Sequence, residues 1–185
     1  LEAQIYDGIK FAPPVLDIGC GDGYFAQAAL PTPIDAGIDP SPAALAECAR
    51  LGIYRELKQA SGAKIPFPDE SFSTVVSNCV LEHIVPIDET LSEIHRVLKP
   101  GGTFVGTMVT DQLSPMLGIP RALRSMGMES AALAYTTWFN RKAVHHNMLS
   151  LADWTTKLDR AGLRVTRSQF YMGADATRIF DFLHY

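Results

Sequence analysis

The sequence predicts a three-layer α/β fold, a mostly parallel sheet with helices on both faces. Short apolar runs alternate with stretches of helical spacing up to Thr110, and no segment repeats. Where the first apolar run meets the first helical stretch, three alternating glycines stand together: Gly19, Gly21 and Gly23. A chain of 185 residues suits one domain. Its 47% hydrophobic and 19% charged residues are ordinary for a globular protein and exclude a disordered or fibrous one.

The run PVLDIG (14–19) reads as the first strand. The helix after the glycines is expected to turn Phe25, Ala28 and Ala29 inward until Pro31 stops it. IDAGID (34–39) reads as the second strand. Ser41 followed by Pro42 is a helix start, a hydroxyl able to cap free N–H groups and then a residue that has none, and Gly52 closes that helix. IYREL (53–57) is a short third strand, leading through SGAKIPFPDESF into a fourth, STVVSN (73–78). Leu91, Ile94 and Leu98 form a helical stripe that KPGG terminates, and TFVGTMV (103–109) is the fifth strand.

After the fifth strand the pattern changes. Pro, Gly and Met become frequent, Tyr135, Trp138 and Phe139 cluster, and NRKAVHHN (140–147) follows. Such a length between elements predicts an inserted lid over 111–149 with short helices of its own. Ser150 with Asp153 resembles a capping box opening the helix LADWTTKLDRAG, which closes on Gly162. LRVTRSQFY (163–171) alternates and is expected to be a sixth strand, and in the tail Ile179, Phe180 and Leu183 fall at helical spacing, a seventh strand being the alternative there. Residues 1–185 are thus read as one domain; opening on Leu1 and ending in RIFDFLHY without a closing turn, they read as a piece of a longer protein.

The formal net charge is −4 with no Lys/Arg block, which argues against nucleic acid as a partner. No apolar run nears the roughly 18 residues a membrane span needs, and no secretory leader is visible, so the cytoplasm is the expected compartment. Cys20, Cys48 and Cys79 are odd in number with no CxxC pair and read as free thiols. His145 and His146 have no carboxylate or cysteine at ligand spacing, so no metal is expected.

The glycines point to a ligand. In an open parallel sheet, ligands sit beyond the carboxyl ends of the strands, and the turn after the first strand is a favoured place. Glycines there bend the chain tightly and leave main-chain atoms bare. Asp39 stands 20 positions after Gly19 at the end of the second strand, where a carboxylate can accept from both hydroxyls of a ribose. A dinucleotide and S-adenosylmethionine both suit such a site. The dinucleotide pattern wants its third glycine at position 24, which is Tyr24. Asp17, an anion beside the loop, opposes a pyrophosphate and suits an ammonium and a sulfonium.

VLDIGCGDG (15–23), GIDPS (37–41), IPFPDESF (65–72), SNCVLEHI (77–84) and EIHRVLKPGG (93–102), in this order and spacing, resemble the motifs of class I S-adenosylmethionine-dependent methyltransferases, in particular the small-molecule branch called type 11. The resemblance covers about residues 13–109, with weaker support from 150–171, and implies a Rossmann-like methyltransferase fold. It implies that Asp17, Gly19 and Gly21, with Cys20 between them, line the methionine part of the cofactor, Asp39 the ribose and Pro40 the adenine face. Ser61, Gly62 and Ala63 fall where the family has an aspartate that accepts from the adenine amine, so a serine hydroxyl or a main-chain carbonyl would take that bond. Asn78 matches the position that meets the cofactor's amino group, and Leu81 and His83 lie near the methyl.

The reaction expected is in-line transfer of a methyl group to a small-molecule acceptor, oxygen being favoured over nitrogen or carbon, with S-adenosylhomocysteine as product. A hydroxyl acceptor makes a base useful, and His83 and His145 are the candidates. Tyr135, Trp138 and Phe139 read either as the lid's own core or as a wall for the acceptor, and Arg141 and Lys142 as surface charges. Two alternatives remain open at this level: an NAD-dependent oxidoreductase, which Tyr24 disfavours, and a non-catalytic cofactor-binding or interaction domain of the same fold.

Overall fold

The computed structural model describes residues 3–171. Five parallel strands form one sheet in the order β3-β2-β1-β4-β5: β1 Val15–Ile18, β2 Ile34–Asp39, β3 Tyr54–Gln59, β4 Phe72–Asn78 and β5 Leu98–Thr107. β1 lies at the centre, buried along its whole length. Its neighbours β2 and β4 leave on opposite sides, which opens a crevice at their carboxyl ends.

Side-chain alternation builds the layers. Leu16 and Ile18 of β1 and Val75 of β4 face a cluster with Leu91, Ile94 and Val97 of helix α3 (Ile87–Val97) and with Trp154 and Leu158 of helix α7 (Leu151–Arg160). Val15 and Val76 face the opposite way, toward Tyr6 and toward Ala26 and Leu30 at helix α1 (Tyr24–Ala29). Leu91 is fully buried, so Leu91→Ala is expected to cost about 2–5 kcal/mol of unfolding free energy, read by urea denaturation.

Helix α2 (Pro42–Leu51) starts and stops as its sequence dictates: the Ser41 hydroxyl accepts from the Ala44 N–H, and Gly52 closes it in the left-handed conformation. Ser150 likewise accepts from the Asp153 N–H to open α7. Three helices occupy the stretch between β5 and α7: α4 (Leu113–Met116), α5 (Gly118–Ser125) and α6 (Glu129–Lys142).

Three expectations are corrected. In α1, Phe25 and Ala29 pack against the core as expected, but Ala28 is exposed and Ala26 is the buried residue, followed by Leu30 just past the helix end; the glycine turn sets which side of this six-residue helix faces in. Leu98 belongs to β5 and not to the helical stripe. α3 ends at Val97, Leu98 is already extended and pairs with Phe72, and KPGG sits inside the strand as an irregularity before Thr103 pairs with Thr74. Gly101, at φ 76°, makes that bend. The third correction concerns 163–171, which is not a strand. Leu163 and Val165 do pack on the core, but a cavity of about 800 Å³ lies between this segment and Thr103–Gly106 of β5, so no ladder forms. The helical spacing of Ile179, Phe180 and Leu183 falls outside the described residues. Among the described residues no helix is long and apolar enough to cross a membrane.

Candidate active site

The turn from β1 to α1 holds Gly19, Gly21 and Gly23 at φ 72°, 54° and 83°, all in the left-handed region where a side chain is strained. The Gly19 and Cys20 N–H groups donate to the Ile38 carbonyl at 2.8 and 3.1 Å, fixing the loop to the end of β2. A Cβ on Gly19 would stand 2.5 Å from a methyl of Val80, and one on Gly23 would stand 2.8 Å from the Cys48 sulfur. At Gly21 the same position is open, so the main chain there faces free space. The Cys20 thiol is buried against Cys48, and burial pushes its pKa up.

Asp39 is half-buried and holds the loop from the other side. Its Oδ2 accepts from the Gly21 N–H at 3.0 Å and its Oδ1 from the Ser41 N–H at 2.8 Å. Pro40 is exposed beside it and its carbonyl accepts from Gln59 Nε2 at 3.1 Å. Asp17 lies beneath the loop, only 5% exposed, and its Oδ2 accepts from the Tyr54 hydroxyl at 2.5 Å. Burial pushes the Asp17 carboxyl up to about 6, with the Asp39 charge adding to the rise and Tyr54 opposing it. Tyr54 carries no signal in the sequence as a site residue; pairing of β3 with β2 brings it there.

After β3 the chain turns at Ser61. The Ser61 hydroxyl accepts from the Ala63 N–H at 3.3 Å, its carbonyl accepts from Lys64 at 3.0 Å, and Gly62 packs against Ile18, Ile84 and Thr90. The next residues are pinned from α3. All five guanidinium N–H groups of Arg96 are used: on Glu93 Oε1 (2.6 Å) and Oε2 (2.8 Å), on the Ile65 and Phe67 carbonyls (3.0 and 2.9 Å), and on Asp69 Oδ1 (2.7 Å). Glu93 Oε2 also accepts from the Ile65 N–H at 2.8 Å, and the Arg96 hydrogen bonds hold the Glu93 carboxyl below its usual range. Arg96→Met is expected to free this loop and weaken S-adenosylhomocysteine binding about tenfold, or about 1.4 kcal/mol, as read by calorimetry. Unchanged affinity would show that the turn at Ser61 holds its shape alone.

At the carboxyl ends of β4 and β5, Asn78 Oδ1 accepts from the Tyr6 hydroxyl at 2.9 Å and from Thr107 Oγ1 at 2.6 Å. Cys79 follows at φ 51°, its N–H on the Thr107 hydroxyl at 3.1 Å and its sulfur 3.8 Å from the Tyr171 hydroxyl. Thr107 was findable from its place at a strand's carboxyl end. Tyr6 was not, because only the folded chain brings the N-terminal turn to β4.

The 3-10 turn Leu81–His83 comes next. Leu81 is fully buried in the core and His83 is exposed. The structure brings together the two histidines singled out by sequence: the His83 and His145 rings stack at 5.3 Å. His83 Nδ1 is 3.1 Å from the Val144 carbonyl. A carbonyl only accepts, so Nδ1 carries a proton in this bond, and in the neutral ring Nε2 is the nitrogen with the lone pair. Burial, with the His83 ring adding, pushes the pKa of His145 down, and its Nδ1 is buried without a hydrogen-bond partner. Asn147 fastens the two segments: its Nδ2 donates to the Leu81 and Ile84 carbonyls at 2.8 and 2.6 Å, while the Glu82 carbonyl accepts from the His146 and Asn147 N–H groups.

A parallel sheet whose first turn is a bare glycine loop, backed by a carboxylate at the end of the second strand, defines a nucleoside-binding α/β protein. Residues 16–106 match the family model described as "Methyltransferase domain", and over them the chain is similar to the class I, type 11 methyltransferases, whose cofactor is S-adenosylmethionine. The mitochondrial arginine-hydroxylase NDUFAF5 of Rattus norvegicus is 36% identical over 107 residues, covering 57% of this chain and 31% of that protein. A demethylmenaquinone methyltransferase of Symbiobacterium thermophilum is 34% identical over 102 residues, 49% of this chain and 40% of its own. A solved structure of a SAM-dependent methyltransferase from Thermotoga maritima aligns with TM-score 0.65 at 20% identity, covering 87% of this chain and 68% of that one, a likeness of fold. The chain spans about a third of the length of the first of these relatives.

The residues present suit that cofactor. Open space at Gly21 leaves room for a ligand on the main chain, and the buried Asp17 carboxylate is one whose charge a cation would stabilise.

Proposed function

We propose that the protein transfers a methyl group from S-adenosylmethionine to the oxygen of a small-molecule acceptor, with His83 receiving the acceptor's proton and 111–149 acting as the lid that selects it. The observation that carries this reading is the histidine pair: the Val144 carbonyl selects the tautomer in which the neutral His83 ring turns its basic Nε2 away from that bond, and the stacked His145 supports the ring. When bound, the cofactor supplies a methyl group made electrophilic by a positively charged sulfur.

The chain's own work is then binding and alignment. Asp17, Gly19, Cys20 and Gly21 would hold the amino-acid end, with Asn78 toward its amino group, Asp39 and Pro40 the ribose and adenine, and Ser61, Gly62 and Ala63 the adenine edge. Leu81, expected near the methyl, is fully buried and backs the turn of His83 from the core instead of touching a ligand. Holding two reactants in line is worth about 7–11 kcal/mol, whereas a general base adds about 10²- to 10⁴-fold. Positioning is therefore the larger contribution, and the Asn147 clamp serves it by tying the acceptor-side turn to the inserted helices.

The Symbiobacterium relative is named as a demethylmenaquinone methyltransferase and the rat relative as an arginine-hydroxylase. The test is incubation of the protein with donor labelled on the methyl group and a fractionated small-molecule extract. Label in an oxygen-methylated product is expected. Calorimetric binding of the donor with no label transferred to any fraction would replace the proposal with a cofactor-binding role.

A further inference from the structure

We infer that the helical hairpin of α5 and α6 is a docking surface for an anionic lipid bilayer. Its outer side is apolar where a water-facing helix pair need not be. Met126 and Met128, in the turn between the helices, are 63% and 48% exposed, and Leu133 and Trp138 on α6 are 62% and 44% exposed. Ala132 and Phe139 point inward and are buried. Leu133, Thr137 and Arg141 recur at every fourth position, as do Ala134, Trp138 and Lys142, so one side of α6 runs from apolar to cationic. The Lys142 ammonium lies 5.8 Å over the Trp138 ring. An exposed apolar patch bordered by cations is a surface suited to the interface of an anionic bilayer.

Charge decides between a bilayer and a protein as the occupant. Between Asp111 and Asn147 stand four cations (Arg121, Arg124, Arg141, Lys142) and two anions (Asp111, Glu129), a net +2. The whole chain is −4, so the remainder carries −6. An anionic surface therefore attracts this hairpin and repels the rest, which sets a single orientation. The hairpin is joined to the turn that carries His83 through the bonds of His146 and Asn147 to Glu82, so docking brings the acceptor side of the site to the bilayer. Its purpose, access to an acceptor dissolved in lipid, rests on the proposed function, but docking itself does not.

The test is co-sedimentation of the full chain with vesicles made of equal parts phosphatidylcholine and phosphatidylglycerol, and with vesicles of phosphatidylcholine alone, at about 0.1 M and about 0.5 M salt. Binding is expected to the mixed vesicles, at least tenfold above the neutral ones at low salt and largely lost at high salt. The exposed triple variant Met126→Ser, Met128→Ser, Leu133→Ser and, separately, the pair Arg141→Glu, Lys142→Glu are expected to lose binding about tenfold each. Calorimetric binding of S-adenosylhomocysteine, unchanged in both, verifies that they fold and keeps this outcome distinct from failure of the methyltransferase reading. Equal binding to both vesicle types, none to either, or variants that bind like the parent would overturn the proposal. So would a self-association, removed by the triple variant, in a protein that ignores vesicles.

Discussion

Asp17→Asn is expected to make the protein more stable near neutral pH while impairing its hold on the cofactor. Burial raises the folded-state pKa of Asp17 from 3.8 to about 6. The sign follows from linkage: an acid whose pKa is raised by folding adds stability that is fully present below about 3.8 and is lost as pH rises through about 6. A rise of that size corresponds to about 3 kcal/mol lost by pH 8. Asparagine stays neutral, and its amide oxygen can still accept from Tyr54. Urea denaturation at pH 4 and pH 8 should show the variant gaining about 2 to 2.5 kcal/mol on the parent between the two, the remainder having been lost by pH 4. Affinity for S-adenosylhomocysteine should rise with pH through about 6 in the parent, because the ligand's ammonium favours ionised Asp17, and should lose that dependence in the variant. Parallel stability profiles would mean that the carboxylate is better solvated than its 5% exposure implies.

His83→Gln is expected to lower kcat by about 10²-fold or more, with cofactor affinity kept, if the imidazole takes the acceptor's proton. Glutamine can still hydrogen-bond the Val144 carbonyl through its amide N–H, so the turn is retained and the basic nitrogen is lost. His145→Gln is the companion measurement. Its imidazole stacks on His83, so in the proposed mechanism it would position that ring; His145→Gln should lower kcat less than His83→Gln does, and His145→Phe, which keeps an aromatic ring against His83, should restore most of the loss. Equal turnover in His83→Gln would leave alignment as the whole of catalysis.

Features that depend on neighbours in the chain could be read directly. Ser41 before Pro42 and Gly52 bound α2 because capping is settled within one turn, and the glycine run marks a bend because three residues at positive φ need no distant partner. Alternation was a weaker guide. In LRVTRSQFY it identifies Leu163 and Val165 as facing the core, yet whether the backbone meets β5 depends on the space between them. Leu98 fits a helical stripe and a strand start equally well, since both bury it. The site divides the same way: Asp17, Asp39 and the glycines announce themselves, whereas Tyr54 under Asp17 and Tyr6 on Asn78 arrive through strand order and long-range packing. Each histidine was visible alone, but the meeting of His83 with His145 depends on the Asn147 clamp.

The contact between Gly19 and Val80 ties two distant positions in the history of this chain. A methyl group at 19 would lie 2.5 Å from the Val80 side chain, so a larger residue in the first turn is tolerable only beside a smaller one after β4. Drift at one is constrained by the other, and even a compensated pair keeps the left-handed penalty of about 1–2 kcal/mol at position 19.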